Sequence, residues 1–98
     1  MRYDFEWDSK KAKSNFRKHG ISFERATRIF RDPNLIAIPD EEHSDFEERW
    51  ITIGLDENAV LLVLSHTFKD LSETICQIRI ISARKATKTE EEQYEEGI

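Results

Sequence analysis

Three histidines, His19, His43 and His66, are the side chains whose ordinary pKa lies near neutrality, which makes them the first candidates for proton transfer. Arginine is the complement, because a planar guanidinium grips phosphate oxygens through two parallel N–H bonds. Arg79 and Arg84 bracket Ile80-Ile81-Ser82-Ala83. That spacing need not place them on one face of a strand, but a break at Ser82 would bring both guanidiniums to one concave surface. The chemistry so assembled is phosphate binding, with Glu48 beside Arg49 as a general-base candidate.

Each of these residues also has a plain structural explanation. His19 sits where a helix C-terminus favours a cation. His43 lies in an acidic loop, between Glu42 and Asp45, which favour its protonated form. His66 closes an apolar strand and reads equally well as a hydrogen-bonded core residue. Arg79 and Arg84 can pair with acids such as Glu47, Glu48 or Glu73, and Glu48 can form a cross-strand ion pair. Trp7 and Trp50 can stack on bases, but in so small a chain they read as core.

The elements that would position these groups follow from local signals. Asp8 caps a helix running to about Lys18, with Ala12 and Phe16 on its apolar side and Asn15 beside them; Gly20 suits the left-handed position that ends it. Ser22 caps a second, short helix with Phe23, Ala26, Ile29 and Phe30 on one face, and Asp32-Pro33 stops it. Leu35–Ile38 and Arg49–Leu55 read as strands, Asp56-Glu57-Asn58 as a turn, and Ala59–Thr67 as the central strand. After a loop around Lys69–Ser72, Thr74–Ile80 alternates as a strand; Thr87 and Glu90 then have the spacing of a capping box for a last helix containing Tyr94. Strands joined by short turns predict an antiparallel meander, so the class is α+β: a small sheet packed with two N-terminal helices and a C-terminal helix.

At 98 residues the chain has the size of one domain, residues 1–98. Hydrophobic residues make up 38% and charged residues 36%, so a modest core sits under a densely charged surface. A lone cysteine, Cys76, excludes an internal disulfide, and no Cys/His cluster at zinc spacing offers a structural metal site. The longest apolar stretch, Ala59–Leu64, is far below membrane-spanning length, so a cytoplasmic protein with no membrane partner is expected. The net charge of −5 argues against indiscriminate nucleic-acid binding, yet Ser9–Arg31 carries eight Lys/Arg against Glu24 alone, whereas Asp32–Glu57 carries nine acids against Arg49 alone. On the first helix Lys10, Lys11, Lys13, Arg17 and Lys18 could hold a nucleic-acid backbone or a protein partner; an exposed helix face is their ordinary explanation.

Phe5-Glu6-Trp7-Asp8, Lys11-Ala12, Asn15, Lys18 through Glu24, and Ala26 resemble the opening of the BrnT toxins. Phe30 with Asp32-Pro33, His43-Ser44 to Glu47-Glu48-Arg49, Gly54, and Arg79 through Ala86 resemble that family's later signatures, so the likeness spans nearly the whole chain. It implies a RelE-like fold and a metal-independent ribonuclease, without a cofactor, that cleaves RNA and arrests translation and growth in a bacterial cytoplasm. It also implies a BrnA-like antitoxin of ribbon-helix-helix type, a heterotetramer with it, and contact with operator DNA only through the antitoxin. Cleavage of RNA needs a group to activate the 2′-hydroxyl, cations for the phosphorane and a proton for the leaving oxygen. On that reading Arg49, Arg79 and Arg84 contact phosphate, and His19, Glu48 and His66 are the proton-transfer candidates. Lys11, Lys18 and Lys85 would hold the RNA backbone. The sequence departs from the family in the longer Phe68–Ser72 turn, in Asn58-Ala59, and in an acidic rather than basic final helix, Lys88–Glu92. These departures remove positive charge and keep two rivals open: an antitoxin-binding module without enzymatic activity, and an RNA-binding protein that does not cleave.

Overall fold

In the computed structural model residues 2–43 and 47–97 are described; Ser44 of the His43-Ser44 signature and Asp45, the second acidic neighbour of His43, lie outside them. Helix α1 (Ser9–His19) starts where the Asp8 side chain accepts the Lys11 backbone N–H at 3.0 Å and ends at Gly20, whose φ of +71° favours a residue without Cβ. Ser22 caps α2 (Phe23–Ala26), which tightens into a 3-10 turn over Thr27–Arg31 before Asp32-Pro33 redirects the chain. The sheet contains β1 (Arg2–Glu6), β2 (Ile36–Pro39), β3 (Arg49–Leu55), β4 (Leu61–Thr67), the two-residue β5 (Lys69–Asp70) and β6 (Ile75–Lys85). The Thr87–Glu90 capping box opens α3 (Lys88–Glu96). Among the described residues no helix is long and apolar enough to cross a membrane.

The strand order β1-β6-β4-β3-β2 places β4 at the centre. The α+β class and the antiparallel meander hold for β2, β3, β4 and β6, but the whole sheet is mixed. The difference lies at the edge, where β1 runs parallel to β6, from Arg2 beside Ile75 to Glu6 beside Arg79. Such pairing joins opposite ends of the chain, and neither end announces it locally. The loop expected around Lys69 likewise gains two residues of pairing, with Gln77 and Cys76.

One face of the sheet, carrying Leu62, Leu64, Cys76, Ile78, Ile80 and Ala83, packs against Ile21, Phe23, Ala26 and Ile29 to form the core. Gly54 permits the close approach of the 3-10 turn, since a Cβ there would stand 3.1 Å from that of Ile29. Asn15 ties helix to sheet from inside this layer. Its Nδ2 donates to the carbonyls of Ile21 at 3.1 Å and Ala83 at 2.9 Å, while its Oδ1 accepts the Ala83 N–H at 3.1 Å.

A register shift in the β4–β6 pairing decides what faces the other way. Ser65 pairs with Ser82 but His66 pairs with Ile80, leaving Ile81 as an extra residue. The inward positions therefore step from Ile78 and Ile80 to Ala83, and Arg79 and Arg84 both project from the face opposite the core.

Candidate active site

Arg49 lies beside Thr67 across β3 and β4, and the Thr67 hydroxyl accepts the Arg79 backbone N–H at 3.3 Å. Arg49, Thr67 and Arg79 thus form one row across three strands on the outward face. Glu47, just before β3, stands between the two guanidiniums: Arg79 Nη2 donates to Glu47 Oε1, and Arg49 Nε lies 3.9 Å from the same oxygen. Beside this row is a cleft of about 310 Å³ lined by Arg79, Thr67, Glu47, Glu48, Glu6, Lys69, Gln77 and Phe68, with Glu6 next to Arg79 across β1 and β6. Glu48 makes no ion pair among the described residues. Glu47 is hydrogen-bonded by Arg79 and lies within ion-pair reach of Arg49, so an anion already occupies the place between the two guanidiniums, with Glu6, Glu48 and the Lys69 ammonium around it.

The other expected site residues lie elsewhere. Arg84 shares the face but pairs with Val63, four residues along β4 from Thr67, about 13 Å from the Arg79 row. Its guanidinium is engaged at both ends by Glu90, at 2.7 and 2.9 Å, and this hydrogen bonding lowers the Glu90 carboxyl to a pKa of about 2. Glu90 also closes the α3 capping box, and the Tyr94 hydroxyl donates to Asp32 at 2.5 Å, so Arg84 acts here as a fastener for α3. An Arg84→Ala variant is expected to lose about 1 kcal/mol of stability at neutral pH. Because the folded Glu90 carboxyl is depressed from 4.5 to about 2, that contribution exists above pH 4.5 and fades as the pH falls through 2. Urea denaturation of both proteins at pH 7 and pH 2 reads this directly, and an equal gap at the two values would refute it.

His66 is only 2% exposed and faces the helices rather than the cleft. A carbonyl can only accept, so Nδ1–H donates to the Thr67 carbonyl at 2.9 Å, which leaves Nε2 to accept from the Thr52 hydroxyl at 2.6 Å. Burial lowers its pKa below 6.5, against a smaller opposing effect of the Thr67 carbonyl. As the pH falls through 6.5 the unfolded chain binds a proton that the folded one refuses, so stability falls. Thermal melts at pH 7.5 and 5.5 should show this decline and a smaller one in His66→Gln; a wild-type protein equally stable at both would contradict a buried neutral ring.

His19 ends α1, and Lys11 and Lys18 are exposed on the same helix, in the layer behind the core face. Lys85 is exposed at the end of β6, and His43 Nδ1–H donates to the Asp40 carboxylate at 2.9 Å on the surface. The structure thus brings together Arg49, Arg79 and Glu48, and adds Glu6, Glu47, Thr67 and Lys69. Glu47 was visible in sequence only as an ion-pair partner; Lys69 carries no local signal, because its place depends on how the longer turn folds back on β6.

Residues 7–90 match the model of a family described as the ribonuclease toxin BrnT of type II toxin–antitoxin systems. The chain belongs to the BrnT family. Membership makes it a toxin of the ribonuclease type, with an antitoxin partner and an RNA target implied. The fold is similar to the BrnT toxin in the 1.1 Å crystal structure of the Brucella abortus protein, with a TM-score of 0.61 and 21% identity over 90% of this chain and 100% of that one. No curated protein matches the chain. The BrnT match begins at Trp7 and ends at Glu90, so β1 and most of α3 fall outside it.

Proposed function

We propose that this BrnT-family protein is a metal-independent endoribonuclease whose working cleft is the one around Glu47. The observation that carries the reading is the row in which Arg49 and Arg79 approach one oxygen of Glu47, with Glu48, Lys69 and Glu6 in the cleft beside it. An RNA phosphate takes the place of the Glu47 carboxylate between the guanidiniums. Exchange costs little, because the Arg79–Glu47 pair is partly exposed and such pairs contribute about 0–1 kcal/mol. Glu48 accepts the 2′-hydroxyl proton as O2′ bonds to phosphorus; Arg49 and Arg79 hold the nonbridging oxygens as charge builds on them. Lys69 protonates O5′ as the P–O5′ bond breaks, leaving a 2′,3′-cyclic phosphate and a free 5′-hydroxyl. The antitoxin on this reading is BrnA-like, of ribbon-helix-helix type, forms a heterotetramer with the toxin, and carries the complex to operator DNA for repression of its own operon. Free toxin degrades RNA and stops translation and growth.

A second reading draws on the carboxylates already seated on Arg79 and Arg84: a self-neutralised toxin that survives as an antitoxin-binding module. Tight induction of the chain alone separates the two. Growth arrest with fragmented cellular RNA is the expected result, whereas healthy growth with intact RNA and retained antitoxin binding would replace the first reading by the second. Salt-sensitive RNA binding without cleavage would mark the protein as a binder only.

A further inference from the structure

On the core-facing side of the sheet, at the end of β4, lies a second cavity of about 260 Å³. Tyr3, Phe30, Leu35, Trp50 and Phe68 wall it, and the Thr52–His66 pair floors it. The Phe30 and His66 rings meet nearly at right angles with centroids 5.3 Å apart, and Phe30 packs beside Tyr3 at 5.7 Å. Although the core lies close by, Tyr3 and Phe68 remain 38% and 37% exposed at the mouth. The cavity has flat aromatic walls and no charged lining residue, so phosphate and carboxylate do not suit it. The Trp50 indole Nε1–H is shielded from solvent and has no acceptor among the described residues.

Phe68 belongs to both cavities, being a wall of this pocket and a wall of the Glu47 cleft. Phe68 thus stands between the two cavities at the end of β4, one on each side of the sheet. A nucleotide has this pairing of chemistries, an anionic phosphate joined through a sugar to a flat base. We infer that the pocket receives a nucleobase of the RNA strand whose phosphate occupies the Glu47 cleft. The inference rests on the ribonuclease reading and adds to it how the substrate is gripped: the cleft holds the backbone and the pocket stacks one base.

The test uses two 2′-O-methyl oligonucleotides of equal length, which cannot be cleaved, one carrying bases and the other abasic throughout. Fluorescence anisotropy on the full chain should show the base-bearing strand bound at least about fivefold more tightly. Phe68→Ala should bring that ratio close to one and leave the salt dependence of binding unchanged, because phosphate contacts are intact. Phe68→Trp, which keeps a stacking surface, should restore the preference. Equal binding of both strands by the wild-type protein overturns the pocket and spares the cleft; binding of neither removes both. A base preference in a chain that never cuts RNA would retain the pocket while refuting the ribonuclease reading.

Discussion

An Arg79→Ala protein is expected to fold with a melting temperature within a few degrees of wild type and to cleave RNA about 100- to 1000-fold more slowly. The two halves of this expectation have separate origins. The Arg79 guanidinium makes a partly exposed pair with Glu47, worth at most about 1 kcal/mol, and the hydrogen bond to Thr67 comes from the Arg79 backbone, which alanine keeps. The rate loss follows from removing a positioned donor from a phosphorane whose charge is highest in the transition state, an effect of about 2.7–4 kcal/mol. Arg79→Lys should fall between, since it keeps a charge and loses the two-pronged geometry. Arg84→Ala is the control: its guanidinium belongs to α3, so cleavage should persist. Initial rates on a labelled RNA, taken with melting curves, give the answer; a folded Arg79→Ala protein that cuts at the wild-type rate would dissolve the site.

Asn15→Ala should destabilise the fold by about 2–5 kcal/mol, a large share of the roughly 5–15 kcal/mol that holds a domain together. Alanine leaves the Ile21 carbonyl and both backbone groups of Ala83 without partners in a region closed to water, where each unmet group costs about 1–3 kcal/mol. Asn15→Asp should be no milder. The carboxylate can still accept the Ala83 N–H, but it presents an oxygen where Nδ2 faced two carbonyls. Urea denaturation measures both, and a loss below about 1 kcal/mol in Asn15→Ala would show that this residue does not join the layers.

By itself the sequence determined what depends on neighbours within about four residues. The Asp8, Ser22 and Thr87 caps, the Gly20 stop, the Asp32-Pro33 break and the bounds of Arg49–Leu55 are all of this kind, because capping bonds and turn geometry are settled by adjacent side chains. The family signatures likewise stand in the linear text, and with them the choice of Arg49, Arg79 and Glu48. Only the tertiary structure decided which of the chemical groups meet. The extra residue at Ile81 turned Arg79 and Arg84 to one face, yet strand length kept them apart and Glu90 took Arg84. The Thr52 hydroxyl closed His66 into the core, β1 found β6 from the far end of the chain, and Glu47 arrived between two arginines on different strands. These outcomes follow from register and pairing between segments distant in sequence, where a slip of one residue reverses the face of every side chain, and no local propensity encodes that choice.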